Sequence, residues 1–273
     1  MINLLYAGND KVFDGLLISL LSITKHTKEP LSVYVLTMDL TDISEKCRII
    51  TQDQASYLET MIQETNKESK IKLIDTRELF LKELGNSKNL KTHFTPYTML
   101  RLLADEIEDL PDKVLYLDTD TIINNDISEL YNIDIDNYEL ACVKDIYNWA
   151  APSRWRIKNY FNAGVLLLNM KKCKETGLFA KTRDLVNNKK LAYVDQDALN
   201  RSVKYKLMLD VKFNAKDKYY KEIVVHHFCN VRKNGNFFKR IKPWHVDLVK
   251  TKMSAYNNLL DEYLERKAKF NNV

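Results

Sequence analysis

Glycine is scarce in this chain, with six among 273 residues: Gly8, Gly15, Gly85, Gly164, Gly177 and Gly235. Neither G-x-G-x-x-G nor G-x-x-x-x-G-K-[ST] can be written from those positions, so a dinucleotide fold of the usual kind and a P-loop are both excluded. A diphosphate, if one is bound, must be gripped by a metal and cationic side chains in place of a glycine cradle. Cysteine is thin as well. Cys47, Cys142, Cys173 and Cys229 show no paired spacing, which argues against a disulfide framework or a zinc knuckle and for a reducing compartment. Long apolar runs are missing: the longest, Leu16–Ile23, carries two serines and falls far short of the roughly twenty residues that span a bilayer. No basic segment followed by an apolar one opens the chain. The expected setting is the cytoplasm.

Neither sign of charge dominates. Lys and Arg number 42 against 37 Asp and Glu, a net +5, too mild by itself to suggest nucleic acid. The surplus is uneven, because residues 216–252 hold ten basic residues against three acids. Such a stretch suits an anionic ligand or lipid surface, or simply a solvated basic face. With 45% apolar residues, the chain can bury one sizeable core.

Strand-like and helix-like runs alternate over the first half. Asn3–Ala7 and Ser32–Thr37 read as strands around a helix Phe13–Lys25. Ile43–Asn66 is mostly helical by composition, Ile71–Asp75 is a short strand, and Pro96–Ile107 is a helix opening with proline. Lys113–Leu117 is the next strand. This order predicts an α/β fold with a mainly parallel sheet flanked by helices, which binds ligands beyond the carboxyl ends of its strands. Later, Leu140–Lys144, Ala163–Asn169 and Ile223–Cys229 read as strands, and Asp195–Val203 as a helix with Asp195 near its N-cap. A C-terminal helix over about 247–270 carries Tyr256, Leu259, Leu260 and Tyr263 on one face. The division expected is a catalytic domain over 1–250 and a terminal helix over 251–273.

The run KVLYLDTDTII, residues 113–123, carries the chemistry. An apolar strand ends abruptly in Asp118-Thr119-Asp120, and side chains two apart on a strand face the same way. Two converging carboxylates call for a hard divalent cation of the Mg²⁺ or Mn²⁺ type, which leaves positions for phosphate oxygens. The triplet alone is weak, since Asp134/Asp136 and Asp195/Asp197 repeat it. Asp134 and Asp136 read as a solvated turn, and only 118–120 directly follows a buried strand. An enzyme handling a metal-bound nucleoside diphosphate is one reading, and ordinary surface acids are the other.

Six ordered motifs then fall together: YAGND (6–10), KVLYLDTD (113–120), YFNAGVLLLN (160–169), YVDQDALN (193–200), VVHHFC (224–229) and KPWH (242–245). Across about residues 2–250 the chain resembles glycosyltransferase family 8, which includes glycogenin and bacterial lipopolysaccharide galactosyl- and glucosyltransferases. The resemblance implies a GT-A type nucleotide-diphospho-sugar transferase fold and a retaining transfer of hexose from UDP-galactose or UDP-glucose to a glycan or glycolipid. It also implies bound Mn²⁺, with Mg²⁺ as the substitute.

Carried over by motif, Asp118, Asp120 and His227 match the metal ligands, with His226 as rival on the same strand. Ala7, Asn9 and Asp10 match the segment that holds uracil and ribose, although Val12 stands where many members have an aromatic. Thr98, Arg101, Thr119, Asn162, Ala163, Gly164, Asn230 and Lys242 match donor-side positions, Lys242 as the cation on the diphosphate. Asp195 and Gln196 match the pair beside the donor hexose. An amide is a poor nucleophile, which favours same-face attack over a covalent intermediate; Asp197 is the covalent candidate.

The chain departs from its relatives in the basic, aromatic segment VRKNGNFFKRI at 231–241, expected to shape the acceptor site or to contact an anionic acceptor. Tyr147, Trp149 and Trp155 are a candidate acceptor platform. Lys250, Lys252, Arg266, Lys267 and Lys269 beside the terminal aromatic stripe suit peripheral contact with an anionic inner-membrane face, docking on the domain, or an oligomer contact. The rival functions are a metal-dependent nucleotidyltransferase or phosphodiesterase and a non-catalytic sugar-nucleotide binding module. Galactose and glucose differ at C4 alone, and nothing in the sequence chooses between them, names the acceptor or sets the oligomeric state.

Overall fold

The computed structural model describes residues 1–42, 45, 47–90, 92, 94–146, 157–216, 219–229, 231–233, 236–238 and 241–272, with backbone alone for 231–233 and 236–238. Tyr147, Trp149, Trp155 and Asn230 lie outside the described residues. Seven strands form the main sheet: β1 (Ile2–Ala7), β2 (Leu31–Thr37), β3 (Lys70–Asp75), β4 (Lys113–Leu117), β6 (Leu140–Lys144), β7 (Phe161–Asn169) and β8 (Lys206–Leu209). Their order is β3-β2-β1-β4-β7-β6-β8. The β3, β2, β1 and β4 strands run parallel, and β7 is antiparallel to both of its neighbours.

Alternation along the strands separates two cores. Leu115 and Leu117 pack with Leu4, Tyr6 and the helix Phe13–His26 on one face, while Val114 and Tyr116 pack with Leu100, Leu103 and Leu199 on the other. This is the period-two rule acting on a sheet covered on both sides.

Two short strands decide the position of the site. β5 (Thr121–Ile123) pairs antiparallel with β9 (Val225–His227), Thr121 opposite His227. Ala215 N–H donates to Val225 O at 2.9 Å and His227 N–H to Ala215 O at 2.7 Å, so the turn Val211–Asn214 clamps β9 from its other edge. Within 231–241, β10 (Val231–Lys233) pairs antiparallel with β11 (Asn236–Phe238).

Three elements differ from the expected ones. The helix within 43–66 spans only Gln52–Gln63, because Thr51 and Gln54 form a capping box that starts it there. Pro96–Glu106 winds as a 3-10 helix. With three residues per turn, positions i and i+3 eclipse, so Thr98 and Arg101 stand one above the other. The C-terminal helix breaks at Met253, whose φ of −144° is extended, into Val246–Lys252 and Asn257–Asn271. The break lets the Tyr256 side chain enter the core, 2.6 Å from His226 Nδ1.

The terminal helix is docked on the domain. Leu259, Leu260 and Tyr263 join the core of the Phe13–His26 helix, and Phe270 packs on Phe13 and Tyr57 with ring centroids at 4.6 and 5.1 Å. Three basic side chains of this region are spent on ion pairs: Arg266 on Glu64 and Glu262, Lys267 on Asp14, and Lys250, from the helix before the break, on Asp261. No helix among the described residues is long and apolar enough to cross a membrane.

Candidate active site

The aspartates reach the site from the end of β4. Asp118 N–H donates to Gly164 O at 2.8 Å, which carries the β4–β7 ladder one residue past Leu117. The chain then turns through Thr119 and Asp120 into β5, where Phe228 N–H donates to Asp120 O at 2.9 Å. These contacts bring together two residues of one strand end and a third from more than a hundred positions later. One ligand atom each from Asp118, Asp120 and His227 lies within 4.8 Å of the others. His227 Nε2 is 3.1 Å from Asp120 Oδ1 and 3.5 Å from Asp118 Oδ2. Strand neighbours face opposite ways, so His226 turns to Tyr256 and Phe228 instead.

Each carboxylate gives one oxygen to this cluster and has the other secured. Asp118 Oδ1 accepts from Arg101 Nη2 at 2.9 Å and from the Tyr116 hydroxyl at 2.8 Å. Asp120 Oδ2 is ion-paired with Lys242 Nζ. Burial by itself would raise the Asp120 carboxyl; the ion pair with the Lys242 ammonium outweighs it and holds the group well below the usual carboxylate range.

The donor set fits a hard divalent cation. His227 Nδ1 lies 3.0 Å from Asn214 Oδ1, and an amide oxygen can only accept, so Nδ1 carries the proton. The Nε2 lone pair then faces carboxylate oxygens, and this buried atom has no hydrogen-bond partner. Lone pairs so arranged repel one another unless a cation lies among them. Two carboxylates and an imidazole suit Mn²⁺ or Mg²⁺ with open positions left over. Gly164 keeps the space clear: a Cβ there would sit 2.1 Å from His227 Cε1 and 2.6 Å from Asp118 Oδ2.

The cluster lies in a cavity of about 530 Å³, within the range of small-ligand sites. Ala7, Asn9, Val12 and Thr119 line it near the first strand. Thr98, Arg101, Asn162, Ala163, Gly164, Asp195, Gln196 and Lys242 line the remainder. Arg101 ties the two ends together. Its Nε is 3.2 Å from Asp195 Oδ2, its Nη1 donates to Ala163 O at 2.6 Å, and its guanidinium stacks 4.3 Å from the Tyr116 ring centroid. Burial raises the Asp195 carboxyl, against the pull of Arg101, and Thr98 Oγ1 donates to its other oxygen at 3.0 Å. Gln196 Oε1 accepts from Asn162 Nδ2 at 2.8 Å and Ala163 N–H at 3.1 Å. Its Nε2 donates to Asp145 Oδ2 and the Tyr160 hydroxyl, both at 3.2 Å.

Two expected residues do not line the cavity. Asp197 is 1% exposed and turned inward: Oδ1 accepts from the Tyr160 hydroxyl at 2.7 Å and Oδ2 from Tyr193 N–H at 3.1 Å. On a helix, positions i and i+2 face different sides, so Asp197 cannot share the cavity with Asp195. Asp10 is also off the wall, although its Oδ1 is buried without a partner. Phe94, Thr95, Tyr97, Tyr116, Tyr193 and Trp244 line the cavity unannounced. Tyr116, Tyr193 and Trp244 fall inside the motifs already picked out; nothing in the sequence marked Phe94 or, behind His227, Asn214.

A family model described as "Glycosyl transferase family 8" matches residues 3–247. A putative glycosyltransferase of Haemophilus influenzae is 29% identical over 253 residues, covering 85% of this chain and 72% of the relative. The lipopolysaccharide 1,2-glucosyltransferase of Escherichia coli K12 is 28% identical over 182 residues, 59% of this chain and 53% of the relative, so the match spans about half of that enzyme. Among solved structures, the galactosyltransferase LgtC in complex with donor and acceptor sugar analogs superposes with a TM-score of 0.67 at 22% identity, covering 98% of this chain and 96% of LgtC. The fold is therefore GT-A.

Proposed function

The chain belongs to glycosyltransferase family 8, and we propose that it transfers galactose or glucose from a UDP-sugar to a glycan or glycolipid, with retention and with Mn²⁺ (or Mg²⁺) held by Asp118, Asp120 and His227. The observation that carries this reading is the shared cavity. At one end sits a cation-shaped cluster, at the other a buried Asp195–Gln196 pair, and Arg101 binds both ends into one frame. The cation, when bound, supplies Lewis-acid stabilisation to the departing diphosphate.

The chain's own residues do the rest. Lys242, next to the cluster, supplies the further positive charge for the diphosphate, a point-charge role suited to lysine. Ala7 and Asn9, which line the cavity near the first strand, bound the base and ribose. Asp195 faces the hexose hydroxyls. In the transfer, the acceptor oxygen bonds to C1 from the side the diphosphate leaves, the C1–O bond to the β-phosphate breaks, and a phosphate oxygen takes the acceptor proton. Gln196 supports this route over a covalent one, because Oε1 is already engaged by two donors. Asp197, buried behind it, is not placed to form a bond to C1.

Measuring UDP release with Mn²⁺ across a panel of UDP-sugars tests the proposal, with NMR of the glycoside reporting the anomeric configuration. Release of pyrophosphate or of a monophosphate would identify a nucleotidyltransferase or phosphodiesterase, and binding without turnover a sugar-nucleotide binding module. Chelation and Asp120→Ala should each abolish transfer; an Asp120→Ala protein of full activity refutes the metal assignment. Deleting 231–241 should change acceptor use, and unaltered acceptor kinetics would count against a role for that segment.

A further inference from the structure

Three buried amides lie in a row behind the metal cluster, and their polarity is not arbitrary. Gln196 Nε2 donates to the Asp145 carboxylate, which only accepts, and Gln196 Oε1 receives the Ala163 N–H, which only donates. That fixes which way Gln196 points. Asn162 Nδ2 donates to Gln196 Oε1 at 2.8 Å, and Asn162 Oδ1 receives the Gly164 N–H at 3.1 Å, so Asn162 is fixed in turn. Asn214 Nδ2 then donates to Asn162 Oδ1 at 3.0 Å, which leaves Asn214 Oδ1 to face His227 Nδ1 at 3.0 Å.

A flipped Asn214 would offer its NH₂ to Nδ1. The ring would then carry its proton on Nε2, aimed at two carboxylates and useless as a ligand. The flip is blocked because Asn162 Oδ1 would meet Asn214 Oδ1, and Asn162 cannot turn without stranding Gly164 N–H. All four side chains, Gln196, Asn162, Asn214 and His227, are at most 7% exposed, so water does not substitute for these bonds.

We propose that Asn214 is a positioning residue for the metal centre: at the end of the chain Gln196–Asn162–Asn214 it holds His227 as the Nδ1–H tautomer and keeps Nε2 available to the cation. The proposal rests on the reading of Asp118, Asp120 and His227 as metal ligands. It adds that the side chains beside the donor hexose and those holding the cation form one polar unit, with Asn162 and Gln196 serving both ends.

The test uses the full chain labelled with ¹⁵N-histidine. In the metal-free wild type, the His227 resonances, assigned with His227→Gln, should show Nδ1–H; a ring protonated at Nε2 and bare at Nδ1 overturns the proposal without any variant. Asn214→Leu removes the acceptor and should give mixed tautomers and Mn²⁺ affinity weaker by about 10–100-fold in electron paramagnetic resonance titrations. Asn214→Asp still accepts from Nδ1–H, although its second oxygen then meets Asn162 Oδ1, and should keep that tautomer with an affinity above that of the leucine variant. A folded Asn214→Leu protein with wild-type tautomer and affinity refutes the positioning role. Asn162→Ala, which frees Asn214 to turn, serves if the leucine variant does not fold, and should shift the tautomer the same way. Equal Mn²⁺ binding by wild type and Asp120→Ala would instead defeat the metal-site reading, and the tautomer spectra would still judge the relay.

Discussion

Replacing Gly164 with alanine adds one methyl group at the tightest point of the site. Its Cβ would stand 2.1 Å from His227 Cε1, 2.6 Å from Asp118 Oδ2 and 2.9 Å from His227 Nδ1. Ordinary contact begins near 3.4 Å, so the imidazole, the carboxylate or the strand must retreat by about 1 Å. Gly164 has no left-handed backbone, so alanine brings no conformational strain and its effect comes from packing. Neither neighbour yields freely: His227 is tied to Asn214, and Asp118 to Arg101 and Tyr116. A displacement of that size should lower turnover roughly 100-fold, or about 2.7 kcal/mol of transition-state stabilisation. Overpacking should remove about 1–3 kcal/mol of folding stability. The assay is Mn²⁺-dependent UDP release, with a Mn²⁺ titration and a urea melt on the same preparation. A folded Gly164→Ala protein within about threefold of wild type in both turnover and Mn²⁺ affinity would refute the reasoning.

Asp197→Asn should cost less than about 100-fold in transfer rate, since loss of a true nucleophile costs on the order of 10⁴-fold or more; a fall of that size would reinstate a covalent route. Arg101→Lys keeps the charge but loses the planar fork and the stack on Tyr116, and should lower stability by about 2 kcal/mol. Unchanged urea midpoints would show that the guanidinium geometry is dispensable. Leu260→Ala, at a fully buried position, should cost about 2–5 kcal/mol within a single unfolding transition. A separate early transition would mean that the terminal helix is an appendage and not part of the core.

Much of the fold was legible because it follows from short-range rules. The unbroken apolar run Val114–Leu117 announces a strand buried on both faces, and the structure sends its side chains into two separate cores. The Asp118 and Asp120 pair just past the strand marked the cluster, although the two carboxylates meet through a turn after Leu117 and not along a strand. Helical geometry likewise separates Asp195 from Asp197, and the inward turn of Asp197 follows from it. Winding was not legible: Pro96–Glu106 has a helical composition, and only its contacts with the sheet show the tighter turn that stacks Thr98 on Arg101 against Asp195.

By itself, then, the sequence determined the alternating α/β order, the paired acids beyond β4 and the motif set of the family, since each depends on residues close together in the chain. Tertiary structure decided which histidine joins those acids, because the register of β5 on β9 places His227 and not His226 beside Asp120. It also decided the direction of the amide row from Asp145 to Asn214. That direction depends on which backbone N–H groups and carboxylates flank each amide, and those partners come from strands, turns and helices far apart in the chain.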